Sequence, residues 1–129
     1  MNVAIVAPAR GFVYDDFIRA INSSGFTITS FFISDVDKQL VSYAKKFIVD
    51  SLTPIALKCL SFSPPVDAGA EMMGWPNRNP RETLELMSKS DAIIALWDGE
   101  SKRVASVVNT ANKIGRKIFI YNKEENDDD

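Results

Sequence analysis

The chain has 129 residues, 46% of them hydrophobic and 25% charged, with a formal net charge of −2. That length lets one domain bury a core without disulfides or metals, and no apolar run approaches the roughly eighteen residues of a membrane span. The complete lack of histidine excludes Ser-His-Asp and Cys-His nucleophile pairs and every His-ligated metal site, leaving carboxylates, lysine, tyrosine or bound water for any proton transfer.

In chain order, Asn2 to Ala7 is a short apolar run suited to a central strand, broken by Pro8-Ala9-Arg10-Gly11. Tyr14, Phe17, Ile18 and Ile21 then keep helical spacing as far as the stop at Ser23-Ser24-Gly25. Phe26 to Ile33 mixes β-branched and aromatic residues and predicts a second strand. Asp37 is placed to cap a helix with the stripe Leu40, Val41, Ala44, Phe47 and Ile48. Pro54 precedes a third strand over Ile55 to Phe62, in which Cys59, the sole cysteine, is expected as a buried and inert thiol. Ser63 to Asn79 is dense in proline and glycine and predicts a long connection, a lid or a short helix near Val66 to Met72. Asn79-Pro80-Arg81-Glu82 then opens a helix that packs Leu84, Leu86 and Met87.

The stretch from Asp91 to Tyr121 has the fullest pattern. Asp91 to Trp97 is an apolar run of strand length ending at Asp98-Gly99, as a buried parallel strand would, and Ser101 is an N-cap. Val104, Val107, Val108 and Ala111 form the apolar face of a helix that closes at Gly115, and Ile118 to Tyr121 reads as another buried strand. Five strands alternating with four helices predict an α/β fold, a Rossmann-like three-layer sandwich over residues 1–123 with a parallel sheet ordered 3-2-1-4-5. Ligands of such sheets sit at the carboxyl ends of the strands. Residues 124–129 carry five acids and no base, so residues 1–123 carry +3, and the acidic run is expected to be a disordered, solubilising tail. The remaining +3 is too small to indicate nucleic acid. The start Met1-Asn2-Val3 lacks the basic and apolar segments of a signal peptide, which points to the cytoplasm and away from a membrane.

Ile94-Ala-Leu-Trp-Asp-Gly-Glu-Ser-Lys102 resembles the IAFWDGxSxGT signature of the small YspA-type branch of the SLOG superfamily. Pro8-Ala9-Arg10-Gly11-Phe12 stands where that family has GSRxF. Ser30 to Asp37, followed by Tyr43-Ala44-Lys45, stands where it has SGGAxGAD followed by YAK, and Arg78-Asn79 matches an RN pair. The resemblance implies a Rossmann-like protein that binds nucleotides or nucleotide-derived ligands and is related to the Lonely Guy phosphoribohydrolases. Relatives form dimers through helices flanking the site, so a homodimer or another protein partner is also implied. The sequence departs from the family at its phosphate-facing glycines, where Phe31, Phe32 and Asp35 stand, and at the glycine-threonine turn, where Arg103-Val104 stands. The helix after Arg103 lacks the glutamate that the related hydrolases carry.

The candidate ligand-binding residues are therefore Arg10, Gly11, Asp37, Arg78, Trp97, Asp98, Gly99, Ser101, Lys102 and Arg103. Arg10, Arg78, Lys102 and Arg103 would meet phosphate, and cations in a first helical turn oppose the helix dipole in a way that a bound anion relieves. Trp97 is placed either to stack on a base or to join the core, Asp98 to orient a ribose or cap a turn, and Asp37 to serve the site or the helix. Asp15 and Asp16 open the first helix, where the dipole favours them. The expected function is a non-enzymatic binding module for a nucleotide-like or phosphorylated small molecule, with no catalytic residue, metal or cofactor. The alternatives are a protein-interaction module with a degenerate pocket, and an N-glycosidic-bond hydrolase of nucleotides.

Overall fold

The structure is a computed structural model that describes residues 1–8, 11–35, 37–60, 87–97 and 102–122. It is a five-stranded, all-parallel sheet built from β1 (Asn2–Val6), β2 (Ser30–Ser34), β3 (Ala56–Leu60), β4 (Ala92–Trp97) and β5 (Lys117–Asn122). The strand order is β3-β2-β1-β4-β5, as the sequence predicts. The described helices are α1 (Tyr14–Ser24), α2 (Lys38–Ser51) and α3 (Lys102–Ile114), and residues 87–89 are helical where the chain enters β4. Among the described residues no helix is long and apolar enough to cross a membrane.

Two cores follow from the alternation of side chains along each strand. Val3 and Ile5 of β1, Phe31 and Ile33 of β2, and Ile94 and Leu96 of β4 point to one face, where Phe17, Ala20 and Ile21 of α1 and Leu40 and Ala44 of α2 cover them. Ala4, Val6, Phe32, Ile93 and Ala95 point to the other, against Val104, Val107, Val108 and Ala111 of α3 and against Met87. A helix layer on each face of a parallel sheet makes the three-layer α/β sandwich, and the central strands are buried along nearly their whole length. Helices α1 and α3 stop where expected. Gly25 after α1 and Gly115 after α3 both take the left-handed backbone, at φ of +71° and +74°, which a side chain disfavours.

The structure corrects three sequence expectations. The second strand begins at Ser30 and not at Phe26, because residues 26–29 carry the chain from the end of α1 back to the amino edge of the sheet, where the Thr29 amide donates to the Met1 carbonyl at 2.9 Å. The last strand is not buried throughout. As an edge strand it leaves Ile120 39% exposed, and of its residues only Tyr121 is fully buried. Cys59 is exposed as well. It lies in the opposite edge strand, opposite Ile33 in the register of β2 and β3, and so on the α2 face of the sheet. There it meets the polar flank of α2 instead of the apolar stripe that packs on β1 and β2.

Candidate functional site

Because all five strands run the same way, their carboxyl ends at Val6, Ser34, Leu60, Trp97 and Asn122 share one edge of the sheet. The chain winds outward from β1 to β2 and β3 on one side, then crosses to β4 and β5 on the other. The helices that follow β1 and β4 pack on opposite faces of the sheet, which makes the ends of these two strands the topological switch point, the crevice position at which such sheets take ligands.

Four parts of the predicted site fall on this edge. Gly11 lies in the turn from β1 to α1 at φ +100°, and no atom would meet a Cβ added there, so the glycine is required by backbone conformation and not by crowding. Trp97 is the final residue of β4. It pairs with Asn122 and is half-buried against the α3-side core, so part of the indole serves packing and part stays accessible at the edge. Lys102 and Arg103 are the first two residues of α3, whose first turn contains no acid. Asp37 precedes α2 as its N-cap residue. Its carbonyl accepts from the Val41 amide at 3.0 Å, and its side chain makes no capping hydrogen bond. Arg10, Arg78, Asp98, Gly99 and Ser101 lie outside the described residues, as do the 63–79 connection, the Asn79-Pro80 helix start and the acidic tail.

The β1–α1 turn is held by contacts that the sequence pattern does not reveal. Phe12 is buried, and its carbonyl accepts a hydrogen bond from the Tyr43 hydroxyl of α2 at 3.1 Å, while Gln39 donates to the same hydroxyl at 2.8 Å. Tyr43, the tyrosine of the Tyr43-Ala44-Lys45 motif, thus ties the turn beside Gly11 to the neighbouring helix. At the start of α1, Asp16 accepts from the Val13 amide at 3.0 Å and from the Tyr121 hydroxyl at 3.2 Å. This buried pairing is structural and assigns Asp16 to the frame under the crevice.

No protein-family model, curated protein or solved structure matches this chain.

Phe31 and Phe32, which the family resemblance sets against phosphate-facing glycines, lie inside β2 and not in the loop after it. Phe31 is wholly buried and meets Phe17 and Phe47 edge-on, with ring centroids 5.9 and 6.0 Å apart. Phe32 belongs to the opposite core, with the Lys58 ammonium 5.9 Å from its ring centroid. Both rings are committed to packing. The residue of β2 that stands at the edge is Ser34, fully buried, whose Oγ is the one buried side-chain polar atom among the described residues without a hydrogen-bond partner. A buried hydroxyl left unpaired costs about 1–3 kcal/mol, so the Ser34 Oγ is an energetic exception at the end of β2. Sequence reasoning passed over it because a serine inside an apolar run carries no positional signal.

Proposed function

We propose that the chain is a non-enzymatic binding module that holds a nucleotide-like or phosphorylated small molecule at the carboxyl ends of its strands. The observation that carries this reading is the all-parallel 3-2-1-4-5 sheet, whose switch point between β1 and β4 is followed in the chain by Gly11 on one side and by Lys102 and Arg103 at the start of α3 on the other, with Trp97 ending β4. In this proposal Arg10, Arg78, Lys102 and Arg103 supply positive charge for phosphate, and the first-turn amides of α3 supply hydrogen-bond donors. Trp97 and Asp98 meet the base or sugar. The resemblance of Ile94 to Lys102 to the SLOG signature supports the same assignment, and membership of that superfamily is part of the proposal. A binding role is preferred to hydrolysis because α3 has no acidic residue to stabilise an oxocarbenium-like charge or to activate water.

Thermal unfolding against nucleotides, cyclic oligonucleotides and ADP-ribose derivatives tests the reading. A ligand at a hundred times its Kd adds about 2.7 kcal/mol to stability, which for a domain of this size raises Tm by roughly 8–13 °C. Arg10→Ala should abolish the shift while leaving the melting temperature of the free protein within about 2 °C. Absence of any shift at millimolar ligand across the panel would overturn the proposal.

A further inference from the structure

A second concavity lies at the outer end of the same sheet, away from the β1–β4 crevice. It has a volume of about 380 Å³ and is lined by Asp35, Lys38, Val41, Ser42, Lys45 and Cys59. That is within the size range of small-molecule sites, roughly 300–1,000 Å³. Lys38, Ser42 and Lys45 are spaced i, i+4 and i+7 along α2, so they project from one face, with the two lysines about 10 Å apart along the helix axis. Cys59 of β3 forms the facing wall, and Asp35 sits at the end of β2.

The charges in this groove are not compensated. Among the described residues neither Lys38 nor Lys45 makes an ion pair or hydrogen bond, although Asp35 shares the groove. Two lysines against one aspartate leave it at +1. No acid four residues on along the helix offsets either lysine, since the positions four after Lys38 and Lys45 are Ser42 and Val49. Lys38 also stands in the first turn of α2, where no acid is present and the dipole favours an anion. Two compact ammonium groups with a hydroxyl between them, exposed along an open groove, match a ligand with separated anionic oxygens.

We propose that the groove between α2 and β3 is a binding site for a small polyanion, a phosphate ester or polyphosphate, contacted by Lys38, Ser42 and Lys45. The site shares no residue with the β1–β4 crevice, and each stands or falls without the other. Its occupant is a small molecule and not a nucleic acid backbone, because the groove is of small-molecule size and the chain as a whole carries a net charge of −2.

Cys59 gives a direct reporter, since it is the only cysteine in the chain and lines the groove. In thiol–disulfide exchange its thiolate attacks one sulfur of an aryl disulfide, the S–S bond breaks, and the aryl thiolate leaves and is measured by absorbance. The rate with an anionic aryl disulfide, divided by the rate with a neutral pyridyl disulfide, isolates the charge of the groove. The double variant Lys38→Gln/Lys45→Gln should lower that ratio roughly tenfold, the low end of what a charged cleft contributes to association. Millimolar inorganic tripolyphosphate should protect Cys59 saturably in the wild type and not in the double variant. Lys38→Arg/Lys45→Arg should keep both effects, and Arg10→Ala should keep the protection while losing the nucleotide-dependent thermal shift. An unchanged ratio in the double variant, or protection equalled by sodium chloride at matched ionic strength, would overturn the proposal.

Discussion

Tyr121→Phe removes one hydroxyl from a site where the consequence follows from geometry. Asp16 is 5% exposed and Tyr121 3% exposed, and the Tyr121 hydroxyl donates to Asp16 Oδ1 at 3.2 Å while the Val13 amide donates to Oδ2 at 3.0 Å. A hydrogen bond to a charged group contributes about 1.5–3 kcal/mol, but 3.2 Å is long for a hydroxyl donating to a carboxylate, so the lower end applies. The substitution keeps the ring in the core and should cost about 1–2 kcal/mol, equivalent to roughly 4–8 °C in Tm. Urea unfolding measures it, and a double-mutant cycle with Asp16→Asn should return a coupling of about 1 kcal/mol.

The same pair predicts a pH dependence. The pKa of Tyr121 is raised above its ordinary value near 10.0, chiefly by burial and then by the neighbouring Asp16 charge and hydrogen bond. The folded state therefore holds the phenol proton more tightly than the unfolded chain. Its contribution is complete below the unfolded pKa and is lost as pH rises from there through the folded value. The Tyr14 phenol, raised by partial burial and by its 3.1 Å bond to Asp50, acts with the same sign, so alkaline destabilisation should persist in Tyr121→Phe with a shallower slope. If the variant loses stability as steeply as the wild type above about pH 10, or costs less than about 0.3 kcal/mol at neutral pH, the hydrogen bond does not hold α1 to β5.

Two further changes address the frame. Phe17 is 1% exposed and contacts Tyr14, Phe31, Tyr43 and Phe47 at centroid separations between 5.9 and 6.5 Å, so Phe17→Ala should cost about 3–5 kcal/mol in urea unfolding, and a loss below about 1.5 kcal/mol would mean that the aromatic cluster closes over the gap. Gly115→Ala meets no steric obstacle but forces a side chain to φ +74°, so it should cost about 1 kcal/mol, and a neutral or stabilising result would show that the α3 terminus rebuilds in another conformation.

How far the fold was legible depends on the range of the interactions that set each feature. The βαβ unit from Ala92 to Asn122 and the central position of β1 follow from local apolar runs, helical spacing and glycine stops, and the strand order follows from right-handed crossovers between them. Exposure at the sheet edges does not. Ile118 to Tyr121 and Ile55 to Leu60 have the composition of buried strands, and only the order of the whole sheet makes them its borders, which is why Ile120 and Cys59 were expected inside. The contacts that frame the crevice are longer in range still. Tyr121 meets Asp16 across 105 residues and Tyr43 meets the Phe12 carbonyl across 31, and neither pair leaves a periodic trace.

The same reasoning separates the two anion sites. Sequence patterns drew attention to Arg10, Arg78, Lys102 and Arg103 because turns and helix starts at strand ends are where parallel sheets bind ligands. Lys38 and Lys45 carried no sign of a shared site in the sequence, because lysines at i and i+7 look like any solvated helix face until a concavity is seen beside them. The third and fifth strands are both borders of the sheet, and β3 runs beside the flank of α2 that carries Lys38, Ser42 and Lys45, with Cys59 exposed between them. With neighbouring strands about 4.8 Å apart, β3 lies roughly 10 Å from β1, too far for one phosphate to be shared between the groove and the crevice. A ligand at one site should therefore shield its own set of basic groups and leave the other set accessible, which lysine-specific acetylation read by peptide mass would show directly.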